Sequence, residues 1–152
     1  MTQLEKDIEK KLIDMVEKYN GLCRKWVCPG WAGVPDRIIL LHGGRIIFAE
    51  TKRPKGGKLS ELQKWWRKKL RSMGFSVHVV WNERDVENVE RSIRCMLAGE
   101  PDPHKPLTRE PGEPEYAFVH RVTEALQDNK LTANAARASI GLPPIEKETT
   151  TC

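Results

Sequence analysis

Apolar residues recur along this 152-residue chain with two different spacings. Spacings of three and four residues predict amphipathic helices, whereas alternation and short apolar runs predict strands. Over residues 1–99 the predicted order is helix, three strands, helix, strand and helix. This order is typical of an α/β domain in which helices flank a central mixed sheet.

The first predicted helix runs from Thr2 to Tyr19 and ends at Asn20-Gly21. Thr2 and Glu5 have the spacing of a capping box. Glu5 and Glu9 lie on the stripe next to the apolar one, so we expect both at the edge of the buried face. The predicted buried stripe contains Leu4, Ile8, Leu12, Met15 and Tyr19.

Two apolar runs around a Gly-Gly turn predict a β-hairpin over Gly33–Lys52, after a short strand at Leu22–Val27. The hairpin's first run begins with Asp36, and its second run ends with Glu50 and Lys52. Glu50 and Lys52 point the same way because strand side chains alternate between faces. The hairpin therefore brings two carboxylates and an amine close together. Two carboxylates this close repel each other and favour binding of a divalent cation.

The next predicted elements are a helix, a strand and a helix. Ser60 caps the helix Glu61–Met73, which Gly74 ends. Alternating residues predict a strand over Phe75–Trp81, and Asn82 caps a helix from about Glu83 to Leu97.

The C-terminal third is predicted to be a separate part of the chain. Residues 99–114 hold five of the ten prolines and predict an extended linker. Two short helices follow, Glu115–Gln127 and Thr132–Ile140, and Thr132 caps the second. We therefore predict a domain at 1–99, a Pro-rich linker at 100–114 and a small helical tail at 115–152.

The net charge of +5 permits an anionic partner such as nucleic acid. Its distribution is more informative, since Lys52–Arg71 holds nine basic residues and one acid. The apolar runs are too short to span a bilayer and the N-terminus has no hydrophobic signal region, so we expect a cytoplasmic protein with no membrane partner. The four cysteines show no paired spacing and are expected to be reduced thiols.

Asp36, Glu50 and Lys52 have the parts needed for metal-assisted phosphodiester hydrolysis. The carboxylates would hold the ion, and the lysine would orient or deprotonate water or stabilise developing charge. The alternatives without catalysis are that Asp36 only begins a turn and that Glu50 and Lys52 only form a surface ion pair. Trp65, Trp66 and Trp81 are expected in the core, whereas for Trp31 core and function are equally open.

These residues and their spacing resemble a known family. Gly33-Val34-Pro35-Asp36 followed by Glu50-Thr51-Lys52 is similar to the PD-(D/E)XK pattern of restriction-endonuclease-like nucleases. Together with the Gly56-to-Ser60 loop, Gln63 and the Gly74-to-Val77 segment, it resembles the VRR-NUC family, in particular its short stand-alone bacteriophage proteins. The resemblance covers about Leu4 to Leu97.

The resemblance implies a DNA endonuclease that uses Mg²⁺ or Mn²⁺, dimerises, and cuts branched DNA such as a Holliday junction or flap. Asp36 and Glu50 would be metal ligands, joined by the backbone carbonyl of Thr51 and by Glu5 or Glu9. Lys52 would be the catalytic lysine, and Gln63 would support the site. The family usually has an aliphatic residue where Thr51 stands, and because this side chain faces away from Glu50 and Lys52 we expect only a packing effect.

The basic residues around the predicted site are candidates for contact with DNA phosphates. They are Arg37, Arg53, Lys55, Lys58, Lys64, Arg67 and Lys68. Three alternatives stay open: a duplex endonuclease of the same fold, an inactive nucleic-acid-binding module, and a protein adaptor that acts through its tail. If the protein is phage-encoded, its compartment would be the host cytoplasm.

Overall fold

The computed structural model describes residues 3–100, 104–128, 130–143 and 145. Within these residues the chain forms four strands and five helices. In chain order they are α1 (Gln3–Lys18), β1 (Leu22–Lys25), β2 (Arg37–Leu41), β3 (Arg45–Thr51), α2 (Glu61–Ser72), β4 (Ser76–Val80), α3 (Glu83–Leu97), α4 (Glu115–Gln127) and α5 (Ala133–Ser139). The predicted element order is confirmed, and so are the caps at Ser60, Asn82 and Thr132.

The four strands form one mixed sheet in the order β1-β2-β3-β4. The first three strands are antiparallel, and β4 runs parallel to β3, as the predicted α/β fold requires. Arg37 pairs with Ala49 in the hairpin register. The residues one step beyond this pair are Asp36 and Glu50, so the register places these two residues opposite each other at the hairpin's open end.

One face of the sheet packs on α1 and α3. Leu4, predicted to be buried, is 63% exposed because the packed face of α1 begins one turn later. The core on this side consists mainly of Ile8, Leu12, Met15, Val16, Ile39, Ile47, Ala49, Val80, Val89 and Ile93. Each fully buried valine, leucine, isoleucine or methionine side chain contributes about 1.5–3 kcal/mol. Thr2 of the predicted capping box lies outside the described residues.

The other face of the sheet packs on α2 through Phe48, Leu70 and Val77. The polar members of the β4 alternation, Ser76 and His78, are buried too, since α3 covers their side. The Ser92 hydroxyl of α3 lies 3.2 Å from His78 Nε2. Helices therefore cover both faces of β4, and Asp36 and Glu50 lie at the end of the strands.

The C-terminal helices α4 and α5 pack on each other around a small apolar cluster that includes Phe118 and Ala135. Residues 104–114 contain no helix or strand, yet they touch both neighbouring parts. Arg71 of α2 donates to the His104 carbonyl, and the Leu107 amide donates to the Ser139 hydroxyl of α5. The division into domain, linker and tail stays a prediction. None of the described helices is long and apolar enough to cross a membrane.

Candidate active site

The open end of the hairpin is closed by main-chain hydrogen bonds of Asp36. Its amide donates to Glu50 Oε2 at 3.1 Å, and its carbonyl accepts from the Trp26 amide at 2.8 Å. The backbone of Asp36 is therefore held between Trp26 and Glu50, and these two bonds do not use its carboxylate.

The Asp36 carboxylate is held by Thr51, the residue between Glu50 and Lys52. The Thr51 amide donates to Asp36 Oδ1 at 3.1 Å, and the Thr51 hydroxyl donates to Oδ2 at 2.6 Å. The expectation that Thr51 would have only a packing effect is thus wrong. Its side chain does leave the face of Glu50 and Lys52, but Asp36 comes from the neighbouring segment and meets it there.

Glu50 is the second carboxylate, and two side chains converge on its Oε1 atom. The Lys52 ammonium lies 2.9 Å from this oxygen, and the Gln63 amide nitrogen donates to it at 2.6 Å. Glu50 and Lys52 sit on the α2 side of β3, which explains how a residue from α2 reaches the strand end. The structure therefore brings Asp36, Glu50, Lys52 and Gln63 together from three elements.

Gln63 also forms the N-terminal cap of α2. Its side-chain oxygen accepts a hydrogen bond from the Ser60 backbone amide. The Gln63 backbone amide in turn donates to the Ser60 hydroxyl, which completes a capping box. With its oxygen used for the cap, the side-chain nitrogen is aimed at Glu50. The same residue thus fixes the start of the helix and positions a site carboxylate.

Burial raises the pKa of both carboxyl groups above their ordinary values. For Asp36 the hydrogen bonds from Thr51 and the charge of Lys52 oppose this rise, while the negative charge of Glu5 adds to it. For Glu50 the Lys52 hydrogen bond opposes the rise, and the nearby Asp36 charge adds to it. A buried and a half-buried carboxylate that repel each other are typical of a functional or cation-binding site.

The two acidic residues of α1 have different surroundings. Glu9 forms an ion pair with Arg37, and each side chain is only 12% exposed. Glu5 is half-buried and acts electrostatically on Asp36. Of the two residues predicted for the metal site, Glu5 is therefore the one near the carboxylates, and Glu9 is engaged elsewhere.

A divalent cation fits this arrangement of oxygens. Glu50 Oε1 accepts two hydrogen bonds, whereas Glu50 Oε2 and each Asp36 oxygen accept one and keep an acceptor position. Across the described ranges, no three His, Cys, Asp or Glu side chains are grouped as a metal cluster. Mg²⁺ usually binds through one or two carboxylates and completes its shell with water and substrate phosphates, so a carboxylate pair suffices.

The predicted basic residues lie in three settings. Arg37 is tied to Glu9 and turned away from solvent, so we leave it out of any DNA-contacting surface. Arg67 is half-buried beside Glu50 and Gln63. The remaining exposed residues form a band along the loop and α2: Arg53, Lys55, Lys58, Lys64 and Lys68, with Lys64 also near Glu61.

Comparison with known proteins agrees with the fold. The chain is 39% identical over 85 residues to "Putative nuclease p44" of Acyrthosiphon pisum secondary endosymbiont phage 1, a match that spans 56% of this chain and 89% of the relative. A solved structure described as a VRR_NUC domain superposes with a TM-score of 0.54 at 28% identity, covering 58% of this chain and 95% of the other. No protein-family model matches the chain.

The mixed sheet and the two relatives define a nuclease with a restriction-endonuclease-like core. Within that class the chain belongs to the VRR-NUC family, and its similarity is to the phage type. The predicted family and the predicted nuclease class are confirmed.

Proposed function

We propose that this nuclease hydrolyses DNA phosphodiester bonds with Mg²⁺ or Mn²⁺ and selects branched substrates such as a Holliday junction or flap. The observation that carries the proposal is the convergence of Lys52 and Gln63 on Glu50, with the Thr51-held Asp36 hydrogen-bonded beside it. The two relatives are described only as "Putative nuclease p44" and as a VRR_NUC domain.

Asp36 and Glu50 would hold the cation, together with the Thr51 backbone carbonyl and Glu5. When bound, such an ion lowers the pKa of a water ligand and neutralises charge on the scissile phosphate. The raised pKa values of both carboxyl groups favour this use, since a bound ion offsets the cost of keeping two poorly solvated carboxylates ionised.

Lys52 is the group placed to act on the attacking water or on the developing negative charge. Its ammonium lies 2.9 Å from Glu50 Oε1, and its side chain is 18% exposed, so most of it is shielded from bulk water. Hydrogen-bond donors positioned before the reaction stabilise transition-state charge without reorganising. Gln63 keeps Glu50 in place and acts through it as a positioning residue.

The proposal places DNA along the basic band formed by the 53–58 loop and α2. Lysine and arginine contacts to phosphates provide affinity that does not depend on sequence. A homodimer, as the family resemblance implies, would place two such sites on one branched molecule, and this agrees with cleavage at junctions.

A substrate panel tests the proposal. Purified protein is incubated with Mg²⁺, with Mn²⁺ or with EDTA, on a four-way junction, a flap, linear duplex and single-stranded DNA of matched sequence. We expect cuts only with added metal and faster cuts near the branch point of the junction or flap. Equal rates on linear duplex would remove branch selectivity, and tight binding without turnover in either metal would favour the inactive binding module.

A further inference from the structure

Three tryptophans form a cluster beside the candidate site. Trp66 of α2 is half-buried, and the rings of Trp31 and Trp65 meet it edge-on, with centroids 6.1 and 5.2 Å away and interplanar angles of 78° and 86°. Trp31 is 65% exposed and Trp65 is 53% exposed. Two large aromatic surfaces therefore face solvent from one supported cluster.

The backbone holds the exposed Trp31 in a defined place. Its amide donates to the Cys28 carbonyl at 3.0 Å and closes a four-residue turn. Pro29 and Gly30 occupy the centre of this turn, and Gly30 has φ +82°, as a type II turn requires. On the other side, the Trp66 indole nitrogen donates to the Ala32 carbonyl at 3.1 Å. Because the loop is fixed from both sides, an exposed Trp31 costs little additional ordering when a ligand arrives.

This cluster lies close to the catalytic carboxylates. The loop packs against the start of α2 so tightly that a Cβ on Gly33 would lie 2.5 Å from Leu62 Cβ and 3.2 Å from the Gln63 amide nitrogen. Gln63 donates directly to Glu50, and Trp66 follows Gln63 by one helical turn. A ligand on the tryptophans would therefore be next to the reacting phosphate.

Charge decides which ligand these aromatic surfaces suit. Helix α2 carries five basic residues and one acidic residue, Glu61. Aromatic side chains interleaved with basic ones bind single-stranded nucleic acid, because bases stack on the rings while phosphates meet the charges. A second copy of this chain on the same face would bring two basic helices together, which like-charge repulsion opposes.

We propose that Trp31 and Trp65 form a stacking site for unpaired nucleobases of the DNA substrate, with Trp66 as its support. The inference rests on the proposed function and deepens it. A stacking platform one helical turn from Gln63 lets the protein recognise a branch by its unpaired nucleotides, which an intact duplex does not expose.

Binding measured in EDTA tests the stacking site without cleavage. The probes are a labelled flap with an unpaired arm, a single strand and a fully paired duplex. The variants are Trp31→Ala, Trp65→Ala and the conservative Trp31→Phe, with Trp81→Phe as a matched tryptophan control outside the cluster. We expect Trp31→Ala to weaken binding of the flap and the single strand about tenfold or more and to leave duplex binding within twofold. Trp31→Phe and Trp81→Phe should bind as the wild type does.

Other outcomes overturn the stacking site. One is an equal loss of affinity for duplex and unpaired DNA. A second is that the Trp31→Ala and Trp65→Ala proteins fold and bind unpaired DNA as the wild type does. If the wild type still cuts DNA, this result leaves the proposed function intact. A third is a change from dimer to monomer in sedimentation caused by Trp31→Ala, which would make the cluster a contact between copies. The wild type could instead cut no substrate but bind unpaired DNA in a way that depends on Trp31 and Trp65. That result counts against the proposed function and supports the stacking site.

Discussion

The hydroxyl of Thr51 donates a 2.6 Å hydrogen bond to Oδ2 of Asp36, and the Thr51 amide donates to Oδ1 of the same carboxylate. Thr51 is 2% exposed and cannot exchange this bond for one to water. The family resemblance implies an aliphatic residue at this position, which could not donate such a bond. In this chain Thr51 therefore orients the Asp36 carboxylate.

Replacing this hydroxyl tests whether it orients Asp36. Thr51→Val keeps the branched shape and removes the donor, and we expect about a tenfold to hundredfold loss of metal affinity or activity. Because the hydrogen bond from the Thr51 hydroxyl lowers the pKa of Asp36, its loss also moves the acidic limb of the pH–rate profile to higher pH. Thr51→Ser, which restores the donor, should recover most of the activity. Equal pH profiles for the Val and Ser proteins would mean that Thr51 only packs.

Gln63 allows its cap and its contact with Glu50 to be separated. Gln63→Glu keeps an oxygen for the Ser60 amide but replaces the donor to Glu50 with a negative charge. We expect an unchanged helix content with about a tenfold or greater loss of cleavage rate, measured by circular dichroism and single-turnover kinetics. The matched control is Ser60→Ala, which removes the hydroxyl of the cap at a cost of about 0.5–2 kcal/mol in stability. Below its melting temperature this protein should cleave within about twofold of wild type.

The raised pKa values of the carboxyl groups predict a pH-dependent stability. A group whose pKa is raised on folding stabilises the protein while it is protonated, and that contribution is lost as the pH rises through the folded pKa. For Asp36 and Glu50 the window begins at the ordinary values of 3.8 and 4.5 and extends upward. In EDTA near neutral pH we therefore expect Asp36→Asn to melt at a higher temperature than the wild type.

Divalent metal should remove this difference. Mg²⁺ or Mn²⁺ is expected to raise the melting temperature of the wild type more above neutral pH than in mild acid, where protons compete for the carboxylates. Asp36→Asn should respond weakly to the metal at either pH. An equal metal response of wild type and variant would argue against Asp36 as a ligand.

The basic band predicts the salt dependence of DNA binding. Removing two exposed lysines with Lys58→Ala/Lys68→Ala should lower the slope of log Kd against log salt by about 1.4–1.8, depending on strandedness. Lys18→Ala/Lys130→Ala makes the same change in net charge on other elements and serves as the control. If both pairs change the slope equally, the effect is one of total charge and the band is not the contact surface.

The sequence predicts the elements well because their signals are local. The caps at Ser60 and Asn82, and the Gly-Gly turn between the hairpin strands, need only neighbouring residues. Glu50, Lys52 and Asp36 could be placed together for the same reason, since strand alternation and hairpin register determine their positions.

The contacts that the sequence does not predict join segments far apart in the chain. The Thr51–Asp36 bond depends on the rotamer of a residue in the neighbouring segment, and the Arg37–Glu9 pair depends on how α1 packs across β2. The aromatic cluster likewise requires the 28–33 loop to fold onto α2. Local periodicity carries no information on such packing, so the predictions of Arg37 on the DNA surface and of Leu4 and Trp65 in the core are wrong.

Cleavage of a four-way junction by single-site variants tests the central claim most directly. With Mg²⁺ present, the wild type and Asp14→Ala, which removes an exposed carboxylate of α1, should cut at similar rates. Asp36→Ala and Lys52→Ala should still bind the junction in EDTA yet lose at least about a hundredfold in cutting rate. Metal-dependent cutting at the wild-type rate by either of the two variants would contradict the site described here.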